Sequence, residues 1–369
     1  MKIFFTLLFF VLLVSNLNAQ FSGGNGTEQN PYQIASKADI GELSDSINNS
    51  YVLLPNNWSY GKYFKLMDNI TDSVRIVIGT DTRSNCFQGD FDGNDKKITL
   101  ALSPSYQDYV GLFCYIYNGT IKNLAVDGSV SGRNIIGGIC GYASNSDIIN
   151  CINYCKISGR GDHISGICGL NIEGNILNCI NYGKINGSNM LVGGIVGASN
   201  GKIINCKNYG NVDGAICVGG IIGHTEAGCN ISYCVNSGSV TASNYSNYGV
   251  GGIIGHFKGD TISHCINIGT ITGKYGAYAG GIVGMGGFEK YVYSESLIYS
   301  CINSGFVTGT TITGGIIGFA YNGDKIVDCI NTGAVSSSIK AMGCIAGKVE
   351  AGGDIENCYY DKQMCGGGE

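Results

Sequence analysis

Between Ile135 and Asp361 the apolar and polar positions recur in one order about eight times. Each copy is anchored on a cysteine: Cys151, Cys179, Cys206, Cys234, Cys265, Cys301, Cys329 and Cys358, spaced 28, 27, 28, 31, 36, 28 and 29 residues apart. Three residues before it stands an isoleucine in every copy, from Ile148 and Ile176 to Ile326 and Ile355. Six residues after it stands a β-branched aliphatic in all but the last, from Ile157 and Ile185 to Val307 and Val335. Thirteen residues before it, or a little further, a glycine motif opens another apolar run, as in Gly193-Gly194-Ile195-Val196-Gly197 and Gly251-Gly252-Ile253-Ile254-Gly255. Short β-branched runs divided by Gly, Asn, Ser and Asp predict strands joined by turns. No sustained 3.6-residue spacing competes with them. Alternation fails between the isoleucine and the cysteine, which predicts a bulge or corner there.

One such unit has too few aliphatic side chains to offset the entropy of ordering its backbone, so units must stack. Three strands per turn, each paired with its copy one turn on, make an all-β parallel β-helix, a solenoid of eight or nine coils. Two residues after the cysteine comes asparagine seven times, from Asn153 and Asn181 to Asn303 and Asn331. Stacking turns this column into a hydrogen-bonded ladder at a corner.

The chain ahead of the array reads as an N-terminal cap with its first irregular coils (residues 20–110), followed by the repeat array proper (residues 111–369). Ser36-Lys37-Ala38-Asp39 is a capping box for a short helix that places Ile40, Leu43 and Ile47 on one face. Tyr63–Leu66, Arg75–Ile78 and Lys97–Leu102 read as strands, and Gly111-Leu112-Phe113-Cys114 as the first glycine motif. Nothing comparable to the cap follows Cys365, so the last coil is expected to need a partner or a further domain over it.

Composition agrees with an array. Sixty glycines among 369 residues are about twice the usual share, and the three prolines (Pro31, Pro55 and Pro104) all precede the repeats. A backbone paired throughout in ladders excludes proline and keeps glycine for corners. The net charge of −5 supplies no basic footprint for nucleic acid. Lys2 followed by the apolar run Ile3 to Val14 and by Asn18-Ala19-Gln20 reads as a signal peptide over residues 1–19. The mature protein is therefore expected to be secreted or at the outer cell surface, with no membrane span.

The glycine cores, followed by Ile-x-x-Cys-x-Asn-x-Gly, resemble the GLUG-motif repeat family of secreted bacterial proteins. Gly24-Asn25-Gly26-Thr27-Glu28-Gln29-Asn30-Pro31-Tyr32-Gln33-Ile34, Phe91-Asp92-Gly93-Asn94 and Asn357-Cys358-Tyr359-Tyr360-Asp361 are similar to segments of the same proteins. The resemblance implies a right-handed β-helix in an adhesin-like setting, in some members beside an immunoglobulin-cleaving peptidase domain. It carries over no catalytic residue.

Candidate chemistry is sparse. Seventeen cysteines are an odd number and cannot all pair. Cys140 and Cys168 occupy a place that Val196, Ile222 and Ile254 fill in other coils, so cysteine reads as a small core residue, with a local bridge such as Cys229–Cys234 as the alternative. His163, His224, His256 and His264 are scattered and lack zinc-ligand spacing, so no metal or other cofactor is expected. Gly89 to Asp95 has oxygen ligands at alternate positions, but Ala101 stands where a calcium loop needs glutamate. A tight turn is the better reading. Asp147, Asp260, Asp324 and Asp354 fall at or near the turn before the isoleucine column, not as the facing carboxylates a glycosidase needs. One surface feature stands out: Tyr154, Tyr182 and Tyr209 follow the asparagine in three successive coils. With asparagine inward they form an exposed aromatic strip, suited to a glycan or a surface-protein partner. The expectation is a non-catalytic binding or structural module. The alternatives are a polysaccharide lyase or glycosidase, and an accessory stalk of a larger surface peptidase.

Overall fold

The computed structural model describes residues 21–49, 56–104, 106–243, 248–258, 261–287, 296–321, 323–338 and 341–365. The leader, Pro55, Asp260 and the residues after Cys365 lie outside these. The protein is a parallel β-solenoid of about eleven turns with one helix at its N-terminal end. Each full coil carries five short strands, such as Asn175–Leu177, Ile180–Asn181, Ile185–Gly187, Met190–Gly193 and Val196–Ser199. They fall into three parallel sheets, of 28, 7 and 9 strands.

Register follows the sequence columns. Ile148 pairs with Ile176, Ile176 with Ile203, and the column continues through Ile231, Ile262, Ile298 and Ile326 to Ile355. Cys140 pairs with Cys168, which pairs with Val196, the place where Ile222 and Ile254 follow. The predicted corner is also present. The residue before each marker cysteine has left-handed backbone, with φ of 54° at Asn150, 56° at Asn178, 54° at Asn205, 56° at Tyr233 and 54° at His264. That residue turns the chain so that isoleucine and cysteine, three apart, both point inward.

The asparagines form the ladder. Asn153 Nδ2 donates to Asn181 Oδ1 at 2.7 Å, Asn181 to Asn208 at 2.7 Å, Asn208 to Asn236 at 2.8 Å, and the run continues to Asn331. Each amide also donates to the carbonyl two residues on, as Asn181 does to Gly183. All seven side chains are fully buried, and a buried amide is tolerated only when its donors and acceptor are met.

The count of eight or nine coils is too low because the segment before residue 111 supplies coils of its own. Tyr32 pairs with Phe64, Phe64 with Phe91, and Phe91 with Ile121, directly above Ile148. Aromatic rings replace isoleucine there, and Phe64, Phe87, Phe91 and Phe113 pack ring on ring 4.9–5.6 Å apart. Tyr63–Leu66 is a strand as expected, and Lys97–Leu102 lies inside the longer strand Asp90–Leu102. Arg75–Ile78 is not a strand. The strand is Ile70–Val74, and Ile78 makes only an isolated bridge to Phe113. Above this the helix α1 (Lys37–Asn48) closes the end, with the Ser36–Asp39 capping box formed and Ile40, Leu43 and Ile47 buried. At the other end Ile355 is 41% exposed, while its predecessors in the column are fully buried.

One disulfide joins Cys344 to Cys365 in the last coil. The Cys229–Cys234 bridge is not made, and both residues are buried. Cys234 belongs to the marker column, where each thiol donates to backbone carbonyls, as Cys206 Sγ does to Ile176 O at 3.4 Å. Parallel side-chain directions one coil apart suit such contacts better than disulfide geometry.

Candidate binding surface

Tyr154, Tyr182 and Tyr209 each follow a ladder asparagine, and register therefore sets them one above another. Asparagine points inward, so the next residue points out. The three are 44%, 46% and 44% exposed. Their rings are parallel, with centroids 5.1 Å apart at 5° between Tyr154 and Tyr182 and 5.0 Å at 9° between Tyr182 and Tyr209. Parallel rings at that separation cover each other's faces. The strip thus presents ring edges and phenol hydroxyls to solvent, whereas a sugar stacks on a face. At its upper end Lys97 Nζ lies 5.9 Å from the Tyr154 centroid and pairs with Asp127 at 3.0 Å. Below Tyr209 the row continues as Ser237, Ile268, Ser304 and Thr332, the last two joined hydroxyl to hydroxyl at 2.9 Å.

Two further ring arrangements escape a reading of the sequence. Where the corner column changes from asparagine, Tyr233 stacks on His264 at 5.0 Å and His264 meets Tyr299 edge-on at 5.6 Å. On the nine-stranded sheet His224 pairs in register with His256, rings 4.7 Å apart. These histidines are therefore not scattered: two coincide because each directly follows a Gly-Gly-Ile-Ile-Gly core. Burial pushes the His256 imidazole down to about 3, helped by His224 and Lys258, and it lowers His224 and His163 as well. His224 Nε2 lies 3.4 Å from Glu226.

The carboxylates do not converge. Asp147 accepts from Asn175 near the top of its column, and Asp354 pairs below Lys325 at the bottom. Asp324 is buried and accepts from the Tyr321 amide at 2.7 Å, and burial raises it to about 6. The carboxylates in contact are Asp354 and Glu356, on the exposed last coil, where Asp354 raises the Glu356 carboxyl. The Gly89–Asp95 segment lies largely within the strand Asp90–Leu102, bulged at Asn94 and Asp95 (φ 51° and 57°). Asp92 there accepts from Asn94 and Asn123, and Asp90 pairs with Lys122. Among the described residues no three His, Cys, Asp or Glu side chains are placed to hold a metal ion. No helix among them is long and apolar enough to cross a membrane.

Residues 214–241 match the family model described as the GLUG motif, the stretch that holds Ile231, Cys234, Asn236 and Val240. Over 167 residues the chain is 27% identical to halomucin of Haloquadratum walsbyi, covering 34% of this chain and 2% of that protein. Over 116 residues it is 28% identical to a protein of Evansella cellulosilytica named provisionally as a Gly-rich membrane protein, covering 29% of this chain and 12% of the relative. The chain thus spans a small fraction of the length of either. Its fold is similar to a crystal structure of a proposed immunoglobulin A1 protease from Bacteroides ovatus, with a TM-score of 0.53 and 18% identity over 92% of this chain and 87% of that one. At that identity the likeness is one of fold alone. The chain is a parallel β-solenoid that carries the GLUG motif.

Proposed function

We propose that the protein is an extracellular binding module without catalytic activity, and that the face around Tyr154, Tyr182 and Tyr209 is its contact surface. The observation that carries this reading is the ladder of three parallel, exposed tyrosines on successive coils. Stability does not call for exposed tyrosine there, since serine, isoleucine and threonine hold the same place further down. A row of phenol hydroxyls at coil spacing, about 4.8 Å, suits a ligand that itself repeats, such as a polysaccharide. The dispersed carboxylates favour binding over hydrolysis. The apolar leader and a relative named as a membrane protein support an extracellular location.

The test is binding of the purified chain to immobilised polysaccharides and to cells, with wild type set against a Tyr154→Ala, Tyr182→Ala, Tyr209→Ala triple variant. Binding by wild type and its loss in the variant, with an unchanged thermal midpoint, is the expected result. Undiminished binding by the variant would move the contact elsewhere. Release of reducing ends or unsaturated products from any polysaccharide would replace this reading with the enzymatic one.

A further inference from the structure

From each tyrosine onward, every second residue points outward. In the first coil these are Tyr154, Lys156, Ser158 and Arg160, and in the second Tyr182, Lys184, Asn186 and Ser188. The intervening Cys155, Ile157 and Gly159, like Gly183, Ile185 and Gly187, are buried. Ile157 pairs with Ile185 and Ile185 with Val212, which sets the outward rows side by side. The coil above adds Ser131 beside Ser158. Beyond the serine and asparagine row the surface dips into a cleft of about 280 Å³, whose polar lining is Ser131, Ser158, Asn186, Ser188 and Arg160.

Charge on this face is net positive. Asp127 is held by Lys97 and Asp213 by Lys184 at 2.9 Å, while Asp162, beyond the cleft, accepts from the Met190 amide. Lys156 and Arg160 have no acidic partner among the described residues, on a chain whose net charge is −5. Two unpaired cations beside a row of hydroxyls and amides complement a ligand with both hydroxyl and anionic groups. The planar guanidinium of Arg160 matches a carboxylate or sulfate in two-point contact.

Resting on the binding-module reading, we propose that this face takes an acidic polysaccharide. Its uronate or sulfate groups sit on Lys156 and Arg160, and its hydroxyls run along the tyrosine, serine and asparagine rows. A protein partner would look for an apolar, desolvated centre, which the serine-lined cleft does not provide.

The experiment titrates the immobilised full chain with a polyuronate, a sulfated dextran, neutral dextran and a DNA duplex. At least one acidic glycan is expected to bind about tenfold or more tighter than neutral dextran, and to weaken as salt rises from about 0.05 to about 0.5 M. The polyuronate and sulfate arms show which anion is preferred. Lys156→Gln with Arg160→Gln should remove that preference while weak neutral binding stays, and a conservative Lys156→Arg variant should retain it. Equal binding of neutral and acidic dextrans, or acidic binding untouched by the double variant, overturns the proposal. DNA binding as tight as the better glycan also overturns it, by reducing the face to plain charge attraction. Neutral binding that needs the tyrosines but not Lys156 or Arg160 sinks this inference and leaves the module standing. Failure of every glycan to bind wild type sinks both.

Discussion

Gly194 and Asn208, fourteen residues apart in sequence, meet across the interior of one coil. A Cβ built on Gly194 would strike the Asn208 side-chain amide and the carbonyl oxygen of Gly220 in the next coil. The relation recurs between Gly166 and Asn181, Gly220 and Asn236, and Gly252 and Asn267. The glycine motif and the Cys-x-Asn-x-Gly turn are therefore two walls of one cross-section, and each recurs in seven coils because the other occupies the space. Gly194→Ala is expected to cost about 2–3 kcal/mol, because backbone and a fully buried ladder amide must both give way. Gly276, with no atom near its Cβ position, has left-handed backbone at φ 104° and is a poor control. Gly41, whose Cβ would meet only Ile76 at 3.8 Å within α1, should accept alanine with no loss. Denaturant unfolding of the two variants checks the contrast.

The ladder itself makes a graded prediction. Asn208 accepts from Asn181 and donates to Asn236, whereas Asn153, with Val126 beside it in the coil above, has an asparagine neighbour on one side only. Asn208→Leu strands a donor on Asn181 and an acceptor on Asn236, at about 1–3 kcal/mol for each buried group left unmet. Asn153→Leu strands one, the Cys155 amide that donated to its Oδ1, while Asn181 Oδ1 keeps the Gly183 amide. The interior substitution should therefore lower the thermal midpoint by about twice as much as the terminal one. Equal losses would mean that the amides serve their own turns, through bonds such as Asn208 to Gly210, and not one another.

These columns were legible because one residue type recurs wherever packing admits only one. Isoleucine, cysteine, asparagine and glycine hold their places from coil to coil, and the break in alternation before the cysteine betrayed the corner. The corner residue itself was not legible, since Asn, Tyr, His, Ser and Asp all serve at its left-handed φ. The upper coils were undercounted because Tyr32, Phe64 and Phe91 take the isoleucine position and no marker cysteine accompanies them. The tyrosine strip could be placed on the outside from the period alone. That its rings face one another, leaving edges to the ligand, depends on side-chain angles that spacing does not specify. The His224–His256 pair was legible in principle, because each histidine directly follows a Gly-Gly-Ile-Ile-Gly core.

The thiols offer a direct test of closure. Fifteen cysteines lie outside the disulfide, all buried except the half-buried Cys358. Burial pushes the Cys114 and Cys217 thiols up to about 12, which suppresses the reactive thiolate, and it closes the marker column to the reagent. Iodoacetamide at about pH 8 should modify Cys358 alone in the native protein, and all fifteen once denaturant is added. Peptide mass mapping reads the sites. Fast native labelling at Cys179 or Cys206 would show that the coils open and that the marker column is not a closed core.

Two buried ionisable groups pull stability in opposite directions over the same pH range. His256 is held at about 3 in the fold against 6.5 in the unfolded chain. As pH falls from 6.5 towards 3 the unfolded chain gains a proton that the fold refuses, so stability falls with acidity, by up to about 1.4 kcal/mol per pH unit. Asp324 is raised to about 6 from 3.8. As pH rises from 3.8 towards 6 the unfolded chain releases a proton that the fold retains, so stability falls with rising pH. Between about pH 4 and pH 6 the two slopes offset each other in the wild type. His256→Met, which copies Met285 from the same place in the next coil, removes the first slope. Relative to wild type, its melting temperature should drop as pH rises through this window. Asp324→Asn removes the second, and its difference curve should rise instead. Thermal melts at about pH 4, 5 and 6 give both curves, in which groups not coupled to the replaced side chain cancel. Difference curves that are flat, or that share a sign, would mean that these two side chains are not held in the protonation states their burial dictates.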